Sequence, residues 1–181
     1  RKMAEAFSNK LTRAAGIVTT SSSGVVGIGT TIITGISTVG VAVSDLVDNT
    51  NFIAGTKVSA IGINTVYADR DSTNTAAASA QVFKFLGMTT AYTSAAATKS
   101  ILIGGTFANN TANSVNLTIE VHDTSAGIQA ALASKIPVPT GSSFVISDAG
   151  KTILEATDEV RVFCDTANAI DVNLSILTGV S

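Results

Sequence analysis

The chain has 181 residues and a formal net charge of −2, with 45% of residues hydrophobic and 13% charged, about half the charged share of an ordinary globular chain. Its Lys and Arg residues form no basic run, which argues against nucleic acid as the main partner, because phosphate binding needs clustered cations. The single cysteine excludes an internal disulfide and a cysteine-based metal site, and no apolar run approaches the roughly 18 residues that span a membrane.

The N-terminal segment carries the only good helical pattern. In "MAEAFSNKLTRAA", Met3, Phe7, Leu11 and Ala14 recur at helical spacing while Glu5, Lys10 and Arg13 fall elsewhere. The spacing predicts a short helix within residues 1–16. A helix of about three turns is marginal alone in water, so its apolar stripe must dock on something. Two readings stand, packing of the stripe on its own domain and an arm that reaches a neighbouring subunit; the one taken forward is the arm, docking through Met3, Phe7 and Leu11, with residues 1–14 dispensable for the fold. "MAEAF" reads as a natural start, which attributes Arg1 and Lys2 to an upstream start or to processing.

After Gly16 the texture becomes Val, Ile and Thr punctuated by Gly, in which β-branched residues favour strands and glycines mark turns or bulges. Strands are expected near 25–34, 39–47, 56–61 and 64–68, with a turn at "DNTN". A polar break at 69–79 precedes "QVFKFLG" (81–87), which alternates with Phe83 and Phe85 opposite Val82. Residues 17–87 therefore read as a smaller Gly/Thr-rich β region.

From 88 to 181 short strands recur about every ten residues with turn chemistry between them, the pattern of an antiparallel β-sandwich. In "NLTIEVH", Leu117, Ile119 and Val121 take one face, and Thr118, Glu120 and His122 the other. Pro137 and Pro139 cannot donate to a ladder, so they belong on an edge or at a strand entry. Strands follow near 144–146, 151–154 and 159–164, and Ile170, Val172, Leu174 and Ile176 alternate at the end. The expected class is mainly β: an antiparallel C-terminal sandwich, the smaller β region before it, and a short helical arm at the front.

No residue pattern demands catalysis. His122, the only histidine, closes an alternating strand and reads as a surface residue, since no G-x-S-x-G elbow accompanies it. Cys164 sits in the alternating run "VRVFCD" and reads as core. "GVVGIGTTIITG" is not G-x-G-x-x-G and reads as a Gly-punctuated strand pair. "DNTN", "DRDSTN" and "SDAG" lack the spacing of the twelve-residue calcium loop. Glu155, Asp158 and Glu159 read as solvated turn charges. The expectation is no enzyme, no cofactor and no metal.

Two stretches carry a resemblance: "GGTFANNTANSVNLTIEVHDTSAG", and "KIPVPTGSSFVISDAGKTILEATDEVRVFCDTANAIDVNLSIL". The second contains I-P-[VI]-P-x-G-S-S, then L-x-x-x-D-x-[VI]-x-V, then a closing alternating strand. Together they resemble small β-sandwich virion structural proteins of tailed bacteriophages, notably marine and cyanobacterial ones. The earlier "VGIGTTIITGISTVGVAVSDLV…IAGTKVSAIG" is similar in texture. The resemblance implies a non-enzymatic, multicopy component of the capsid surface, neck or tail. Its partners would be copies of itself and other virion proteins. The alternative from another class is a carbohydrate- or receptor-binding β-sandwich module.

Overall fold

Alternation dominates the fold. The computed structural model describes residues 5–77, 79–147 and 151–180, with the backbone alone at Ser22. Among these it contains strands β1 to β15, all pairings antiparallel, and no helix. The chain divides into two compact units. One joins the N-terminal segment through Gly16 to everything from Thr89 onward; the other is Ile17–Met88.

The first unit contains β1 (Ala6–Ala15), β8 (Thr89–Thr93), β9 (Lys99–Asn109), β10 (Val115–Asp123), β11 (Ile128–Val138), β12 (Ser143–Ile146), β13 (Thr152–Leu154), β14 (Glu159–Cys164) and β15 (Ile170–Val180). One sheet runs β1-β15-β9-β12, with β13 also on β9; the other runs β11-β10-β14-β8. The chain changes sheet at nearly every connection, the β10–β11 hairpin and the β12-to-β13 step being the exceptions. Both sheets feed one core, in which Leu102, Phe107, Leu117, Ile119, Val162 and Leu174 are fully or almost fully buried. Ile170, Val172 and Ile176 join them, while Val121 is only partly buried against the cluster. Pro137 lies near the end of β11, an outer strand of its sheet, where the missing N–H costs no ladder bond.

The helix expected near the N-terminus is not seen. Residues 6–15 form strand β1, paired antiparallel with β15 through Phe7↔Leu177, Asn9↔Ser175 and Leu11↔Asn173. The physical reason lies in the spacing. A separation of four residues puts Phe7 and Leu11 on one side of a helix, but four is also a multiple of the strand period. β15 offers a full ladder, against which a three-turn helix has little to set. Met3 lies outside the described residues.

Gly16 ends β1 at φ +122, where a Cβ would stand 2.5 Å from the carbonyl oxygen of Thr166. Only glycine lets the chain leave the sheet there. It then enters the second unit: β2 (Ile17–Val26), β3 (Ile32–Thr34), β4 (Leu46–Asp48), β5 (Val58–Gly62), β6 (Thr65–Ala68) and β7 (Gln81–Gly87). The strand expected over 25–34 is a hairpin, broken by the turn after Val26, and the one expected over 39–47 shrinks to β4. The sheet order is β4-β7-β2-β3-β6-β5. Its ends approach each other where the segment leading into β4 meets the start of β5, through Ser44 N–H to Val58 O (2.9 Å), Val58 N–H to Asp45 O (2.9 Å) and Val47 N–H to Thr56 O (2.8 Å). Inside, Phe83 packs edge-on to Phe52 at 6.4 Å and stacks with Phe85 at 6.5 Å.

Asp45 is buried at this seam, its Oδ2 accepting the Ala42 N–H at 2.8 Å. Burial pushes its carboxyl above the usual carboxylate range, and the Ala42 N–H pulls partly back. A raised acid pKa means that the folded state holds the proton more tightly. The contribution is complete below the ordinary value of about 4 and is lost as pH rises through the folded value. Asp45→Asn should therefore flatten the decline of stability above about pH 4. Urea unfolding at a series of pH values, compared with the native chain, checks this; parallel profiles would contradict it.

Candidate interaction surface

The outer face of the β1-β15-β9 sheet is the first candidate. On β1, Ser8, Lys10 and Thr12 sit opposite Ile176, Leu174 and Val172, on the side that faces the core. Phe7, Asn9 and Leu11 take the other side, and Phe7 and Leu11 are 77% and 76% exposed. The strand is thus inverted: polar side chains face the core side and apolar ones face outward. A polar or charged residue pointing inward on an edge strand is tolerated because its tip can leave past the sheet's margin, and Lys10 is exposed there.

The apolar side chains continue across the sheet. Phe7 lies opposite Leu177, Leu177 opposite Ile101, and Ile101 opposite Ile153, which is 60% exposed. A second row runs Leu11, Asn173, Thr106 and Val145. Between Leu11, Thr106 and Ala108 the face dips into a shallow groove that also takes in Arg13 and Asp171. At its rim the Asp171 carboxylate accepts the Ala14 N–H at 2.8 Å. The expected site residues Phe7 and Leu11 thus share one outward face, carried by a paired strand rather than by a free helix.

The second candidate lies on the outer face of the other sheet. Glu120 faces Arg161 and His122 faces Glu159 across β10 and β14. The Arg161 guanidinium donates from Nε to Glu159 Oε2 at 2.7 Å, and His122 Nδ1 stands 3.8 Å from the same oxygen with no hydrogen-bond partner. Glu120 and Arg161 are buried and the His122 side chain is only 15% exposed. His122 is therefore no open surface residue. The strict alternation of β10 hides this, because Thr118 and Glu120 on its polar face are buried as well. Glu159→Gln removes the charge that accepts from Arg161 Nε, while Glu120 stays opposite Arg161, and should cost about 1.5–3 kcal/mol, the usual worth of a hydrogen bond to a charged group. Denaturant unfolding measures it; a change under about 0.5 kcal/mol would show the pair to be idle.

The three carboxylates after β13 separate rather than converge. Glu155 pairs with Lys99 at 2.8 Å in solvent. Asp158 is buried and not a solvated turn charge: Oδ1 accepts the Thr124 N–H at 3.1 Å and Oδ2 the Glu155 N–H at 2.9 Å, fastening two turns. Asp123 caps the turn after β10, and the Ala126 N–H and Ser125 hydroxyl hold its carboxyl below the usual range. Cys164 is buried in the core. Among the described residues no three His, Cys, Asp or Glu side chains come together as metal ligands; Asp148–Gly150 of the "SDAG" segment lie outside them. No helix among them is long and apolar enough to cross a membrane. No protein-family model, curated protein or solved structure matches the chain.

Proposed function

We propose that the chain is a non-enzymatic structural protein of a tailed-bacteriophage virion, present in many copies at the capsid surface, neck or tail. The observation that carries the assembly half of this reading is the inverted strand β1, which opens an apolar row from Phe7 to Ile153 on the outside of a sheet. A chain with so little charge gains by covering such a face. The phage half rests on the sequence resemblance, in which Leu154, Val160 and Val162 of the L-x-x-x-D-x-[VI]-x-V motif fill the core and Asp158 fastens the turn. The strand order of the first unit is that of a jelly roll, a fold that viral capsid proteins use, an analogy at the level of fold alone. Mass spectrometry of purified particles of the encoding phage tests the reading: the protein should be present in many copies per particle, and its absence would end the proposal.

A second reading, a glycan-binding module, draws on one feature of the second unit. Thr50, Asn51, Thr73, Asn74, Ser79 and Gln81 line an uncharged groove of hydroxyl and amide groups, chemistry suited to neutral polyols. Binding to a glycan array by a chain absent from virions would favour it.

A further inference from the structure

Strand β1 has a property that its pairing with β15 leaves unused. Among the described residues it is hydrogen-bonded on one side only, at the end of its sheet. An open strand edge is a template for another strand. Few sequences pair well with themselves in antiparallel register, because the residues must match about a centre. Here they do. With Asn9 opposite Asn9 of a second copy, Phe7 falls opposite Leu11, Glu5 opposite Arg13, Ser8 opposite Lys10 and Ala6 opposite Thr12, and each match occurs twice by symmetry. Apolar meets apolar on the outward side of the strand, and anion meets cation at its two ends, Glu5 just before β1 and Arg13 at the register shift between Thr12 and Ala15. Glu5 and Arg13 form no ion pair among the described residues, and both are exposed.

We propose that two copies of this chain associate through β1, edge to edge and antiparallel about Asn9, joining their β1-β15-β9 sheets into one. The apolar row that begins at Phe7 and the mixed row that begins at Leu11 would then run on across the two-fold axis. The partner is a second copy rather than another protein because the register satisfies both charges and both large apolar residues at once. The two-fold contact is isologous, the commonest type in homo-oligomers. This names the self-association that the proposed function requires and rests on that reading for its purpose, though not for its geometry. A contact of some nine residues per strand sits at the low end of interface sizes, so dissociation constants on the order of micromolar are expected, with retention in a particle raised by the number of copies.

The test uses the full chain and sedimentation equilibrium over a wide concentration range. The native chain should reach a dimer. Glu5→Arg and Arg13→Glu each place like charges opposite one another twice and should each weaken dimerisation about tenfold. The double variant Glu5→Arg/Arg13→Glu restores opposite charges and should recover the native affinity. Asn9→Cys should form a disulfide between chains on oxidation, with buried Cys164 taking no part. Circular dichroism confirms that each variant is folded. A native chain that stays monomeric, a double variant no better than the singles, or a dimer that Asn9→Cys fails to link would each overturn the proposal. A virion protein that is monomeric in solution would keep the proposed function and lose this interface; a β1 dimer absent from virions would do the reverse.

Discussion

Leu174→Ala should destabilise the protein by about 2–5 kcal/mol, the cost of removing a buried leucine and leaving part of its space unfilled. Leu174 is fully buried near the middle of β15, the strand between β1 and β9. Its surroundings give little room to relax, because a Cβ on Gly105 across the ladder would already stand 2.7 Å from Leu174 Cδ2. The site is crowded by backbone, so collapse into the cavity means moving a strand. Urea unfolding followed by far-UV circular dichroism suits a chain with no tryptophan. A loss smaller than about 1 kcal/mol would mean that this core is not packed as described.

Deleting residues 1–14 should have a still larger effect. Read as a helical arm, the segment was expendable. As β1 it forms a ladder with β15 from Ala6↔Thr178 to Thr12↔Val172. Its removal opens the edge of β15 and exposes the flanks of Val172, Leu174 and Ile176. The expected loss is about 5 kcal/mol or more, comparable with the whole stability of many domains, and the bared edge should promote aggregation. Melting curves and size-exclusion chromatography decide the matter. A truncated chain that melts cooperatively at the native temperature and stays soluble would show β1 to be an appendage after all.

These two cases show what the sequence could and could not display. Where one face of a strand is apolar and the other polar, alternation is legible, and β7 over 81–87 and β14 over 159–164 read directly from it. β11 does not read as a strand, because "IQAALASKIPV" is rich in alanine and carries a proline next to its end; it is held by β10, not by its own preferences. The buried state of Glu120 and Arg161 was equally hidden, since a charged residue on the polar side of an alternating strand looks like solvent-facing surface. The outward apolar residues Phe7 and Leu11 were found for a reason that turned out to be geometric coincidence. The matching of Glu5 with Arg13 becomes visible only once the segment is known to be extended.

The placement of the second unit has a temporal consequence. The chain leaves the first unit at Gly16 and returns at Thr89, and Ala14 bonds to Asp171 over a sequence separation of 157. At roughly 5–20 residues per second, a ribosome needs about 8–30 s between making β1 and making β15. For that interval β1 has no partner on its own chain, with an apolar side and a bare edge exposed. On a polysome, neighbouring nascent chains carry the same strand in the same state at high local concentration. Slow translation between the two strands should therefore raise the share of chains that exchange β1 with a neighbour before β15 arrives.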